Sequence, residues 1–223
     1  MNLRVSDRRN YALTRIEAIV VIFSLLLLVI MLLPALGAAA RKRSKIGCAN
    51  QLKQMGLAFR IWEGDHQDKY PMSLAAKNGG VMEFAAQGNA EAIFQTMSNE
   101  LSTPRILVCP ADKDRWPALS FRSPLTSSNL SYFINPDSNE SNPQDIMTGD
   151  DNLEIRGVRV KSGLLTISAN NPIAWSADRH GRSGNVGMAD GSCQNISNFG
   201  LTNYFLNSVL STTNATSWRL AIP

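Results

Sequence analysis

His180 is followed nine residues later by the pair Asp190-Gly191, and this arrangement is the one in the chain that most invites chemistry. An imidazole and a carboxylate held together can bind a metal or ligand, or pass a proton. The pair also has a plainer reading. Asp-Gly between two short strands is a hairpin turn, because glycine takes a positive φ at no steric cost. His180 then supports that hairpin through a hydrogen bond, with ligand or metal binding as the alternative. Catalysis has little to stand on, since no Gly-x-Ser-x-Gly elbow occurs in the sequence.

Two acidic pairs are candidate calcium ligands, Asp112 with Asp114 and Asp150 with Asp151, in segments rich in oxygen donors. No EF-hand spacing accompanies them, and surface turns use aspartate for other reasons. Only two histidines occur, His66 and His180, which excludes a His-rich zinc site and argues against any zinc site. The three cysteines, Cys48, Cys109 and Cys193, contain no Cys-x-x-Cys pair, so neither a redox nor a metal motif is indicated. Their plain reading is as free, buried, small apolar residues. The expectation is therefore a chain without a resident metal or cofactor, and not an enzyme.

The elements that must position these residues follow from pattern. Between Ala18 and Ala40, 20 of 23 residues are hydrophobic and none is charged, enough to span a bilayer. Cys48, Leu52, Met55, Phe59 and Trp62 then recur at helical spacing, one apolar stripe on a continuing helix. A single helix over 14–63 would be about 75 Å long at 1.5 Å per residue. A second helical pattern covers 89–101. Beyond it the spacing predicts strands at 105–109, 130–134, 164–168 and 172–176, and a hairpin of 185–189 with 193–197. Residues 123–152, rich in Ser, Asn, Asp and Pro, read as loop around one strand. The last 25 residues hold one short helix near 201–209.

Charge excludes a further class. Of 22 basic residues, Arg4, Arg8, Arg9 and Arg15 precede the apolar run and Arg41, Lys42, Arg43 and Lys45 follow it. Beyond Lys45 there remain 14 basic residues, against 16 acidic once Asp7 and Glu17 are set aside from the 18. The outer domain is near neutral, with no basic stripe for nucleic acid. The flanking cations suit lipid headgroups. Four basic residues on each side leave orientation undecided by charge.

Glu17 stands at the edge of the apolar run, where a carboxylate needs a partner. With Arg8-Arg9 before it, Ala12-Leu13-Thr14-Arg15-Ile16-Glu17 resembles a type IV prepilin leader junction. The blocks Cys48-Ala49-Asn50-Gln51-Leu52, Leu107-Val108-Cys109-Pro110-Ala111-Asp112, Thr148-Gly149-Asp150-Asp151-Asn152-Leu153 and Asp178-Arg179-His180-Gly181 with Asp190-Gly191 resemble a subgroup of bacterial pseudopilin-like proteins. The resemblance implies an α+β fold with a long N-terminal helix packed on a small antiparallel sheet. Its parts would be a leader (1–12), the membrane half of the helix (13–40), its amphipathic half (41–63) and a globular domain (64–223).

The same resemblance implies cleavage by a prepilin peptidase between Ala12 and Leu13, with methylation of the new Leu13 amine. Glu17 would pair with that amine in a neighbouring pilin-like subunit during filament assembly. The chain would lie in the bacterial inner membrane with its domain in the periplasm. That compartment is oxidising, and the two cysteines inside matching blocks, Cys48 and Cys109, are the pair expected to form a disulfide. Two alternatives stay open: an anchored envelope domain binding a ligand or metal through the His180–Asp190 hairpin, and a secreted protein cut after Ala40.

Overall fold

The computed structural model describes residues 14–168, 173–211 and 217–223. Ala12 and Leu13, and with them the expected cleavage junction, lie outside the described residues. The chain divides into two compact units, Met1–Lys42 and Arg43–Pro223.

Helix α1 spans Arg15–Asp65 with Pro34 inside it. Its start is built by a reciprocal cap. The Thr14 amide and hydroxyl donate to Glu17 Oε2 at 2.8 and 2.9 Å, and the Glu17 amide donates to Thr14 Oγ1 at 3.3 Å. A threonine followed three residues later by a glutamate is the pattern that satisfies helix-start amides in this way. Apolar side chains from Ile16 to Leu36 are exposed along this stretch, and α1 is long and apolar enough to cross a membrane.

In the second unit the stripe behaves as its spacing predicts. Cys48, Leu52, Met55, Phe59 and Trp62 are all buried, while Leu57 and Ile61 on the other side are exposed. Short helices follow: α2 (Met82–Ala85), α3 (Ala90–Thr96) and α4 (Ser98–Leu101). The pattern over 89–101 is thus two helices, broken at Met97, whose ψ of 22° leaves the helical range.

Nine strands come next among the described residues: β1 (Tyr132–Ile134), β2 (Ile146–Asp150), β3 (Leu153–Ile155), β4 (Val158–Arg159), β5 (Gly163–Ser168), β6 (Ile173–Trp175), β7 (Ser183–Met188), β8 (Cys193–Ser197) and β9 (Ser217–Ile222), with α5 (Asn198–Ser211) between the last two. They form a six-stranded sheet in the order β5-β9-β1-β2-β7-β8 and a three-stranded sheet in the order β4-β3-β6. Every pairing is antiparallel.

Alternation along the strands sends side chains to opposite faces, and both faces of the larger sheet are apolar. Tyr132, Ile134, Met147 and Ala221 join the stripe of α1 in one core. Phe133, Ile146, Val186, Leu220 and Ile222 join Leu153, Trp175, Leu201 and Phe205 in the other.

Three expectations need correction. Residues 105–109 are not a strand: Pro104–Leu107 is a 3-10 helix with proline in its first turn and the Thr103 side chain capping the Arg105 amide, as proline's fixed φ favours. Four strands lie outside the expected set: β2 inside the supposed loop, β3 and β4 just after it, and β9 at the end. α5 is also longer than the short helix expected there. The β7–β8 hairpin does form, with Gly187 opposite Cys193 and Gly191 at φ 82°. Its turn lies so close to α1 that a Cβ on Gly56 would sit 3.0 Å from Gly191 Cα, which fixes the helix against the sheet.

The stripe generates a quantitative expectation. Leu52→Ala or Met55→Ala should destabilise the second unit by about 2–5 kcal/mol, the usual cost of emptying a packed core site. Leu57→Ala should change stability by no more than about 0.5 kcal/mol. Denaturant unfolding of the full chain in detergent, followed by tryptophan fluorescence, measures both.

Candidate functional site

β2 ends on Asp150, and the chain continues through Asp151 and Asn152; all three polar side chains are buried. Two groups of partners converge on the two aspartates.

Asp150 faces thiols and a histidine. Cys48 Sγ donates to Asp150 Oδ1 at 2.9 Å. His180 Nε2 is 3.5 Å from Asp150 Oδ2 and 3.3 Å from Cys109 Sγ. The four candidate donor atoms of Cys48, Cys109, Asp150 and His180 all lie within 4.8 Å of one another. Neighbouring donors hold them in place. The Asn185 amide reaches Asp150 Oδ2 at 2.8 Å, and the Ala111 amide reaches Cys109 Sγ at 3.4 Å. The Tyr132 hydroxyl lies 2.7 Å from Gln51 Oε1 and 3.4 Å from Cys48 Sγ.

Each residue arrives by a different element. The stripe of α1 carries Cys48. Cys109 sits in the turn after the Pro104 helix, where the Asp112 amide bonds its carbonyl. β2 presents Asp150 opposite Tyr132 of β1. His180 precedes β7 in a turn whose next two residues, Gly181 and Arg182, both take positive φ, and the Ser183 hydroxyl donates to the His180 carbonyl at 2.7 Å.

Burial and proximity distort the acid–base behaviour of this cluster. Burial raises the Asp150 carboxyl to about 6, with the Cys109 sulfur adding to the shift. The two thiols move apart. Burial, with hydrogen bonding to Cys109, pushes Cys48 far up. Cys109 is lowered because Cys48, His180 and the Ala111 amide all hydrogen-bond its sulfur, against burial. Burial alone would depress His180, yet the Cys109 sulfur and the Asp150 carboxylate raise it overall.

Asp151 and Asp112 face arginines. Arg179 contacts Asp112 at 2.6 Å and Asp151 at 2.5 Å. Arg115 contacts Asp151 and lies 3.9 Å from Asp112. The Ser131 hydroxyl donates to Asp112 at 2.7 Å, and Arg179 also donates to the Ser131 carbonyl at 3.1 Å.

This geometry redraws the candidate residues. His180 and Asp190 sit at opposite ends of β7, six residues or about 20 Å of strand, and Asp190 serves the turn by accepting from the Ser192 amide at 2.7 Å. The His180–Asp190 hairpin is therefore not one site. The acidic pairs do not form calcium loops either. Guanidinium groups already occupy the carboxylates of Asp112 and Asp151, Asp150 turns to the thiols, and Asp114 is exposed. Cys48 and Cys109 do come together, but as free thiols, with Cys193 apart from them and also free. Arg115, Arg179, Tyr132 and Asn185 went unread because only tertiary contacts reveal them.

Comparison of the chain with protein-family models, with curated proteins and with solved structures finds no match.

Removing Arg179 should show how much the carboxylates depend on it. Arg179→Met leaves two buried carboxylates with Arg115 alone and should destabilise the second unit by about 3–5 kcal/mol. Asp114→Asn, at an exposed carboxylate, should cost no more than about 0.5 kcal/mol. Thermal unfolding of the two variants beside the parent chain checks both.

Proposed function

We propose that the chain is a non-enzymatic, pilin-like (pseudopilin) subunit of a type II secretion or type IV pilus-like filament. Prepilin peptidase cuts it between Ala12 and Leu13, and it lies in the inner membrane of a bacterium with the second unit in the periplasm. The observation that carries this reading is the junction of leader-like sequence with helix start. Thr14 and Glu17 begin a 51-residue helix whose first half is exposed and apolar and whose second half buries one apolar stripe in an antiparallel α+β unit. Such a helix offers a membrane segment before assembly and an apolar surface for neighbouring subunits afterwards.

Glu17 has two duties in this scheme. Within the chain it caps the start of α1. Between chains its charge pairs with the Leu13 amine of a neighbour, since two isolated charges among apolar helices are costly and a pair fixes register.

These duties can be separated. Glutamine also completes a capping box, so Glu17→Gln keeps the helix start and removes only the charge. The variant should be cut by the peptidase and unfold at the parent temperature, yet be lost from sheared filaments. Sequencing of the mature N-terminus in the native host tests the wider reading. Leu13 at the N-terminus supports it; an intact Met1 would make the chain a simple anchor, and a cut after Ala40 a secreted protein.

A further inference from the structure

We propose that Cys48, Cys109, Asp150 and His180 are the four ligands of a structural zinc ion. The inference is independent of filament formation. It rests first on convergence: four side chains from four separate segments bring their donor atoms within 4.8 Å of one another, with all four side chains buried. Two thiolates, an imidazole and a carboxylate form a tetrahedral set of the borderline-soft kind that zinc prefers. Magnesium and calcium call for six or more oxygen ligands, of which this set supplies only the Asp150 carboxylate.

The contacts at His180 argue against a catalytic triad. In a triad the base touches the nucleophile through one ring nitrogen and its orienting carboxylate through the other. Here Cys109 Sγ and Asp150 Oδ2 both lie against Nε2, at 3.3 and 3.5 Å. One nitrogen cannot donate and accept at once, but several ligands facing a common centre produce that crowding. Burial of the ring, 1% exposed, also denies a substrate access.

The surrounding groups are those a ligand shell requires. The Ala111 amide points at Cys109 Sγ from two residues further along, a contact that stabilises a thiolate. Asn185 fixes Asp150 through its amide. The Tyr132 hydroxyl stands near Cys48 Sγ. Such outer contacts orient ligands and sharpen affinity. On binding, Cys48 and Cys109 each release a proton to solvent and coordinate as thiolates. The bound ion then carries two thiolates and a carboxylate, a net single negative charge, with the Arg179 guanidinium on the residue next to His180. Zinc at this point ties α1 to the turn after the Pro104 helix, to β2 and to the turn before β7. It also keeps Cys48 and Cys109 reduced, in place of a disulfide.

The test uses the full chain in detergent. Elemental analysis of protein purified without chelator should give one zinc per chain. After chelation, cobalt(II) should restore a complex with thiolate-to-metal charge transfer and the intense visible bands of tetrahedral cobalt. Zinc should raise the unfolding temperature of the metal-free protein. Cys48→Ser and Cys109→Ser should each weaken zinc binding by more than the roughly 10–100-fold that loss of an outer contact costs, whereas Cys193→Ser should bind as the parent does. The titration of the unmutated chain stands even where a variant misfolds. Folded, reduced parent chain that takes up neither zinc nor cobalt would overturn the proposal. So would equal binding by Cys48→Ser, or a Cys48–Cys109 disulfide in protein isolated without reductant.

Discussion

Three consecutive polar side chains, Asp150, Asp151 and Asn152, are buried where β2 ends, and a carboxylate out of water must find partners or lose its charge. Much of the second unit is arranged around that constraint. Asp150 takes the Asn185 amide and the thiol–histidine group. Asp151 takes Arg115 and Arg179. The Asn152 side-chain amide donates to the Ser176 carbonyl at 3.3 Å, and the Asn152 backbone carbonyl accepts from the Ser176 amide at 2.8 Å. Partners thus come from α1, from the segment after the Pro104 helix, from β7 and from the turn between β6 and β7. A displacement of any of these would leave a buried polar atom unmatched.

The helix stripe and the buried polar chain reinforce each other. Cys48 belongs to both: its neighbours Leu52 and Met55 fill the apolar core below the sheet, while its thiol reaches Asp150. One turn earlier, Lys45 donates to the Ser183 hydroxyl at 3.0 Å, and its carbonyl accepts from the Asn185 side chain at 3.4 Å. Apolar packing alone tolerates sliding along a stripe, because one buried methylene resembles the next. Directional contacts at Lys45 and Cys48 single out one register of α1 on the sheet, and the close approach of Gly56 to Gly191 allows no bulkier alternative.

How much of this the sequence discloses depends on whether the signal is local. The stripe from Cys48 to Trp62 is legible because helical spacing repeats within a few residues, and the β7–β8 hairpin because Asp190-Gly191 marks its own turn. β2 is hidden for the opposite reason. It lies between two apolar faces, so Ile146, Met147 and Thr148 are all buried and the polar–apolar alternation of a one-sided strand is missing. The surrounding Ser, Asn and Pro then read as loop. Residues 105–109 misled because a short apolar run carries no periodicity, and proline at its head decides for the 3-10 turn. The donor cluster leaves no local trace at all. Cys48, Cys109, Asp150 and His180 are separated by dozens of residues, so the motif is written in the fold and not in spacing. His180 and Asp190, close in sequence, were joined as one site by proximity along a strand that in fact holds them apart.

Asp150-Asp151 and Arg179-His180 are best understood as two dipeptides that face each other. Successive residues at a strand end point to opposite sides, so the two carboxylates must be met by different chemistries in different places. The facing turn supplies them in matched order, His180 at Asp150 and Arg179 at Asp151. The division has a physical basis. Asp151 shares Arg179 with Asp112, and guanidinium, always charged and forked, suits two carboxylates at once. Asp150 instead faces the Cys48 thiol and the His180 ring. An imidazole with a single directed nitrogen fits that space. The arginine half of the arrangement carries its compensating charge within the chain, and the histidine half gathers donors around a point that a cation from solution can fill.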